Sequence, residues 1–133
     1  GKWSNIMFRR LLDGPYDGEL IAVNPARNEV EGQPCYASLR DVPGEIDYVQ
    51  LLVAREHTVD AVRDCVARKV LVIHVLSSGF GEVSGEGPGF QSALVEALGG
   101  GASALIGPNS LGLYSAGHGL CLGCPSRTRD SGQ

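Results

Sequence analysis

The chain has 133 residues, enough for one domain with a real hydrophobic core, and its 43% hydrophobic and 20% charged content is ordinary for a soluble globular protein. A net charge of −4 with no basic stripe argues against a general nucleic-acid binder, whose affinity rests on Lys and Arg against phosphates, but leaves room for a small phosphorylated ligand. No apolar run approaches the roughly 18 residues of a membrane span, and Lys2 to Leu12 is amphipathic rather than uniformly apolar like a signal peptide. Neither nucleic acid nor membrane is therefore an expected partner, and the cytoplasm is the expected compartment.

Lys2 to Leu12 places Ile6, Met7, Arg10 and Leu11 at helical spacing, with Trp3 one turn earlier. Glu19 to Val23 is a short apolar run ending at the turn signal Asn24-Pro25. Tyr36 to Leu39 reads as a strand end or a helical turn. Asp47 to Val53 is the next strand, followed by a helix over Thr58 to Ala67 with Val59, Val62 and Val66 on one face and Thr58 as its cap. Val70 to Leu76 is the third strand. Phe90 to Leu98 is a helix with Phe90, Leu94, Val95 and Leu98 on one face, closed by the glycine turn 99–101. Ser103 to Ile106 is the fourth strand, stopped by Gly107-Pro108.

Strands alternating with helices predict an α/β fold, a Rossmann-like parallel sheet with helices on both faces. In such a sheet the helix that opens on phosphate follows a first strand, and that strand is central. Here a helix begins almost at residue 1. The pattern therefore predicts that the central first strand is missing from this chain, leaving a gap between the strands at 19–23 and 47–53. Residues 1–120 form the expected domain. The polar segment 121–133 reads as a linker or edge loop toward a further domain. Four cysteines, Cys35, Cys65, Cys121 and Cys124, include one lone CxxC. Zinc would need two more ligands at short spacing, and His118 nearby does not complete a set. Reduced thiols without a metal are expected.

Ligands of open α/β sheets bind outside the carboxyl ends of the strands. Those ends are the loops from Val23 to Arg27, Val53 to Glu56, Leu76 to Phe80 and Ile106 to Ser110, and all are small, polar or glycine-containing. Lys2 and Ser4 open the first helix, where a phosphate would meet free N–H groups and the positive end of the dipole. The alternative is a solvated lysine and an ordinary helix serine.

Four motifs then stand in order: Val23-Asn24-Pro25, Cys35-Tyr-Ala-Ser-Leu39, Ser77-Ser-Gly-Phe-Gly-Glu82 and Gly107-Pro-Asn-Ser-Leu-Gly-Leu113. Together they resemble the coenzyme A-binding domains of NDP-forming acyl-CoA synthetases, the succinyl-CoA ligase superfamily, over nearly the whole chain. The resemblance implies coenzyme A or acyl-CoA as ligand and further ligase domains or subunits as partners, and it leaves a homo-oligomer open. It makes Gly1-Lys2 the tail of a Gly-Ala-Ser loop. It matches Arg27 to a lysine that contacts coenzyme A phosphate; the alternative is a solvated arginine. Asn24 and Pro25, Val53 and Ala54 are likewise expected to bind the coenzyme, in one crevice with Ser77 to Gly79 and the start of the first helix, where Gly1, Lys2 and Ser4 stand.

Ser77, Ser78 and Gly79 offer hydroxyls and N–H groups suited to a pantetheine amide or a phosphate, or simply the small residues of a turn. Asn109 suits a ligand role and a bond to its own backbone equally. Two departures stand out. The family often has Cys where Ser110 stands, and Val-Pro-Ala where Val53-Ala54-Arg55 stands, so Arg55 either compensates beside the coenzyme or points to solvent. The family's phosphohistidine lies outside this domain, so His57, His74 and His118 inherit no role and no catalytic residue is expected here. A non-catalytic regulatory module, of the kind fused to protein acetyltransferases, is the second reading. An NAD-binding Rossmann domain ranks low, because the second strand ends at Val23-Asn24 without an acidic residue.

Overall fold

The structure, a computed structural model, describes residues 2–123. In chain order the elements are α1 (Lys2–Asp13), β1 (Ala22–Val23), β2 (Glu29–Val30), β3 (Gln33–Tyr36), a 3-10 turn (Leu39–Asp41), β4 (Tyr48–Leu51), α2 (Arg55–Ala67), β5 (Val72–Val75), α3 (Gly87–Leu98), β6 (Ala104–Ile106), β7 (Gly112–Ser115), a 3-10 turn (Ala116–His118) and β8 (Leu120–Gly123). They divide into two compact units, residues 21–110 and a terminal unit built from both chain ends.

The larger unit is α/β. Its main sheet runs β4-β5-β6, all parallel, with Tyr48, Val72 and Ala104 in one row and Gln50, His74 and Ile106 in another. Successive parallel crossovers of one hand in one direction put both connecting helices on the same face. Accordingly α2 and α3 pack against each other. Alternation sends Leu51, Ile73 and Val75 toward them, where they meet Val62, Cys65, Val70, Phe80 and Leu94 in a single buried cluster. Burial pushes the Cys65 thiol up to about 12, with Asp64 adding to the shift, so it packs as an inert apolar group.

The helices turn differently from their apolar patterns. α2 buries Thr58, Val62 and Cys65, while Val59 and Val66 are only half-buried. Thr58 is not the cap either. The helix begins three residues earlier after Ala54, and the Thr58 hydroxyl donates back to the Ala54 carbonyl at 3.2 Å, which lets it enter the core satisfied. In α3, with Pro88 in its first turn, Leu94 is buried but Val95 is 62% exposed, off the face expected for it. Gly99, at φ +61, ends the helix as the glycine turn predicted.

Strands stand where the apolar runs placed them, but shorter. β1 keeps only two residues of the run 19–23, and it pairs in parallel with β3 rather than with β4. β2 and β3 form a hairpin through Glu31 and Gly32, both at positive φ as a two-residue turn of this hand demands. β1 and β4 thus belong to different sheets, with no backbone pairing between them among the described residues.

The second face of the main sheet carries His74, fully buried at the centre of β5. Its Nδ1 is hydrogen-bonded to the Tyr48 hydroxyl, and its Nε2 lies 2.7 Å from Ser110 Oγ. A neutral imidazole satisfies both contacts, one nitrogen accepting and the other donating. Burial lowers the His74 pKa and raises that of the Tyr48 phenol, holding both groups uncharged.

In the terminal unit, α1 buries Met7 and Leu11 one turn apart and leaves Trp3 and Ile6 exposed. It packs on β8, where Leu122 is buried. β8 pairs antiparallel with β7. This corrects the reading of 121–133 as a linker or edge loop from its first residue: Cys121 to Gly123 complete β8, a strand that packs on α1 and buries Leu122. Cys124 and the remainder of that segment lie outside the described residues, as does Gly1.

Two outcomes follow for stability. Ile73→Ala should cost about 2–5 kcal/mol, the range for emptying a buried aliphatic site, read as a lower denaturant midpoint by far-ultraviolet circular dichroism. The second concerns pH. Since the His74 pKa is depressed in the folded state, stability is fully present above about pH 6.5, the ordinary histidine value. It should fall as pH drops below that value toward the folded pKa, because the unfolded chain takes up a proton that the folded one refuses. His74→Gln should flatten that acid limb. Identical stability–pH slopes for the two proteins would show that His74 does not govern it.

Candidate functional site

Three strand-exit loops of the larger unit are knitted together at the carboxyl end of the main sheet. Ser77, just past β5, is the knot. Its hydroxyl donates to the Val53 carbonyl in the loop after β4, and its own carbonyl accepts the Asn109 N–H at 2.8 Å from the loop after β6. Val53, Ala54, Ser77, Ser78, Gly79 and Asn109 are therefore assembled as neighbours. Ser78 stands exposed beside the half-buried Ser77 and Gly79.

Two glycines make the assembly sterically feasible. A Cβ at Gly107 would sit 2.2 Å from the Val75 carbonyl oxygen, and its φ of +96° suits no L side chain, so only glycine lets the β6 exit fold back across β5. The Gly107-Pro108 peptide is cis, and Asn109 lies in the left-handed region at φ +56. At Gly79, φ is +95°, and a Cβ there would press against the Arg55 side chain at 3.1 Å.

Arg55, the first residue of α2, stands where the sequence departs from the resembled pattern, and it does not simply point to solvent. Its Nη1 donates to the Gly79 carbonyl at 2.9 Å, its guanidinium carbon lies 4.5 Å from the centre of the Phe90 ring, and Nη2 is 3.6 Å from Glu86. Across the same peptide unit's neighbour, Glu82 closes the loop from the other side. One carboxylate oxygen accepts the Gly79 N–H at 2.6 Å, the other the Phe80 N–H at 3.1 Å. These backbone bonds, the one from Gly79 foremost, hold the Glu82 pKa below its ordinary value, with the Arg55 charge adding a little. Arg55 was left open from sequence between a place beside the coenzyme and solvent, and Glu82 was not among the site residues expected.

The loop after β1 is separate in its bonding. Asn24 extends the β1–β3 ladder through its N–H to the Tyr36 carbonyl at 2.8 Å, and its side chain turns the chain by accepting the Ala26 N–H at 2.9 Å. Arg27 closes this turn with its N–H to the Asn24 carbonyl at 3.3 Å, and its side chain is exposed, as is Pro25. Among the described residues no backbone–backbone hydrogen bond joins this turn to the three knitted loops. Lys2 and Ser4 open α1 in the terminal unit, where Ser4 is half-buried. At the amino ends of β4 and β5 lies a depression lined by 44–47, 67–69 and Leu71, where Arg68 is committed to the Val42 and Gly44 carbonyls at 2.8 Å each. Among the described residues no three His, Cys, Asp or Glu side chains converge as a metal site would require, and no helix is long and apolar enough to cross a membrane.

Known proteins are similar to this chain in sequence and fold. A family model described as a CoA binding domain matches residues 1–116. Acetate–CoA ligase [ADP-forming] I of Archaeoglobus fulgidus is 34% identical over 115 residues, which is 86% of this chain and 16% of that protein. The alpha subunit of acetate–CoA ligase [ADP-forming] II of Pyrococcus furiosus is 30% identical over 98 residues, 74% of this chain and 21% of the subunit. Among solved structures, the dinucleotide forming acetyl-coenzyme A synthetase 1 of Ca. Korarchaeum cryptofilum, in complex with phosphate and ADP, superposes with a TM-score of 0.81 at 27% identity, covering 88% of this chain and 25% of that one. The chain thus spans a quarter or less of the length of these relatives. With most of its residues under one family model and its strand-exit loops in the matched region, the chain belongs to the CoA-binding domain family and matches the domain carried by ADP-forming acyl-CoA synthetases.

Proposed function

We propose that this chain is the coenzyme A-binding module of an NDP-forming acyl-CoA synthetase, an enzyme that interconverts acyl-CoA, phosphate and NDP with the free acid, coenzyme A and NTP. The observation that carries the reading is the knot at Ser77, which gathers Val53, Ala54, Ser78, Gly79 and Asn109 into one small-residue surface at the carboxyl end of the sheet. Small side chains and turned backbone there let a pantetheine arm lie close, with its amides answered by backbone groups and by the Ser78 hydroxyl. Arg27, exposed in the turn held by Asn24 and Pro25, takes a phosphate of the coenzyme; a guanidinium grips phosphate with two parallel bonds. Lys2 and Ser4, at the start of a 12-residue helix, offer a phosphate contact of their own through the helix N-terminus.

The module's contribution is positional. It holds the coenzyme and fixes where the thiol lies, so that the acyl group arrives at a nucleophile already in place. The nucleotide chemistry belongs to further domains or subunits, in line with relatives that are themselves subunits or much longer chains.

Isothermal calorimetry tests the assignment. Losing a charged phosphate contact costs about 1.5–3 kcal/mol, so Arg27→Ala should weaken coenzyme A roughly ten- to 150-fold at 1.4 kcal/mol per factor of ten. If the contact is to the 3′-phosphate, wild type and variant should bind dephospho-coenzyme A alike. No heat with coenzyme A, or equal affinities for wild type and Arg27→Ala, would sink the site.

A further inference from the structure

Two successive backbone N–H groups, those of Gly79 and Phe80, converge on the two oxygens of one carboxylate, that of Glu82. Converging N–H groups of this kind form a concavity whose complement is an anion. A turn needs only an acceptor for each N–H, and a neutral carbonyl would serve. Here the acceptor is a full charge with both oxygens engaged, the nearer bond being 2.6 Å, in the range of charge-assisted bonds. The positive side is reinforced: Arg55, fixed by the Gly79 carbonyl and the Phe90 ring, sits close enough to favour the ionised form of Glu82. Yet the Glu82 side chain and the Gly79 N–H bond that it accepts lie at the surface, so a solute has access to that end of the pair once Glu82 swings away, while Phe80 stays buried.

We propose that the Gly79–Phe80 amide pair is an oxyanion seat, with Glu82 as its internal ligand, and that an external carboxylate or phosphate binds there by displacing Glu82. The chemistry recognised is an oxyanion presenting two oxygens to two N–H donors beside a guanidinium. Two sources offer it: the carboxylate of a free acid, and a phosphate or phosphoryl group. The seat adjoins Ser77 and Ser78, so an occupant would sit beside the surface proposed for the pantetheine arm. Glu82 then acts as a gate that keeps the loop folded when the seat holds no ligand and sets a threshold concentration for the ligand that replaces it. The inference does not depend on coenzyme A binding.

Chemical rescue tests it. Backbone amide resonances of Gly79 and Phe80 are followed in wild type, Glu82→Ala and Glu82→Gln while sodium acetate or sodium phosphate is added, with sodium chloride at matched ionic strength as the control. In Glu82→Ala both resonances should shift saturably with acetate, phosphate or both, at concentrations at least about ten-fold below any effect in wild type, a difference of about 1.4 kcal/mol. Saturation by acetate alone assigns the seat to carboxylates, and by phosphate alone to phosphoryl groups. Glu82→Gln retains a neutral acceptor for the turn and reads the same response should the alanine variant fail to fold. No saturable shift with either anion in a folded variant overturns the proposal. Calorimetry with coenzyme A on the same variants keeps the two questions apart: anion rescue without coenzyme heat leaves the seat standing and removes the coenzyme reading.

Discussion

β5 has hydrogen-bonded strands on both edges and no exposed side chain from Ile73 to Val75. Everything else in the larger unit is arranged around that burial. Ile73 and Val75 anchor the apolar layer under α2 and α3, so the crossovers that deliver those helices are held at the length and direction the layer needs. His74, between them, must face the other way, and a buried imidazole must find partners for two nitrogens. It takes one from β4 and one from the loop after β6. The central strand thus fixes its neighbours twice, by packing on one face and by polar contacts on the other. The exit loops inherit that order: Gly107 crosses directly over the Val75 carbonyl, where no other residue fits.

Much of this was legible in the residue pattern. Continuous apolar runs located the three strands of the main sheet because strands covered on both faces have little room for polar residues. Helix positions followed from spacing, but helix rotation did not. Three valines in α2 suggested a face, while the buried positions are Thr58, Val62 and Cys65, and Val59 and Val66 stay half-buried. The two hairpins were unread. The first is hidden in a charged stretch, with only Glu31-Gly32 as a weak turn signal. The second is glycine-rich and its last strand looks like a polar tail, although it buries Leu122 and packs on α1.

The candidate site shows the same division. Its loops could be placed from the ends of the strands, and the small residues in them were visible as such. What sequence could not supply was how the loops are held. Arg55 and Gly79 are 24 positions apart and meet only through the parallel pairing of β4 and β5. Glu82 is three residues from Gly79, close enough for a local rule, but an acidic residue after Ser-Ser-Gly-Phe-Gly reads first as solvated surface. The residue that departs from the resembled pattern, Arg55, opens α2 and braces the loop after β5.

The placement of aromatic residues has a practical consequence. The chain has a single tryptophan, Trp3, and it lies on α1 in the terminal unit, 60% exposed. The larger unit carries only Tyr36 and Tyr48 and phenylalanines such as Phe80 and Phe90. Intrinsic fluorescence excited at the red edge of the absorption band will therefore report a solvated indole and the melting of α1. It carries no indole from the sheet with the exit loops, so a probe of backbone structure or of tyrosine emission is needed to record the larger unit.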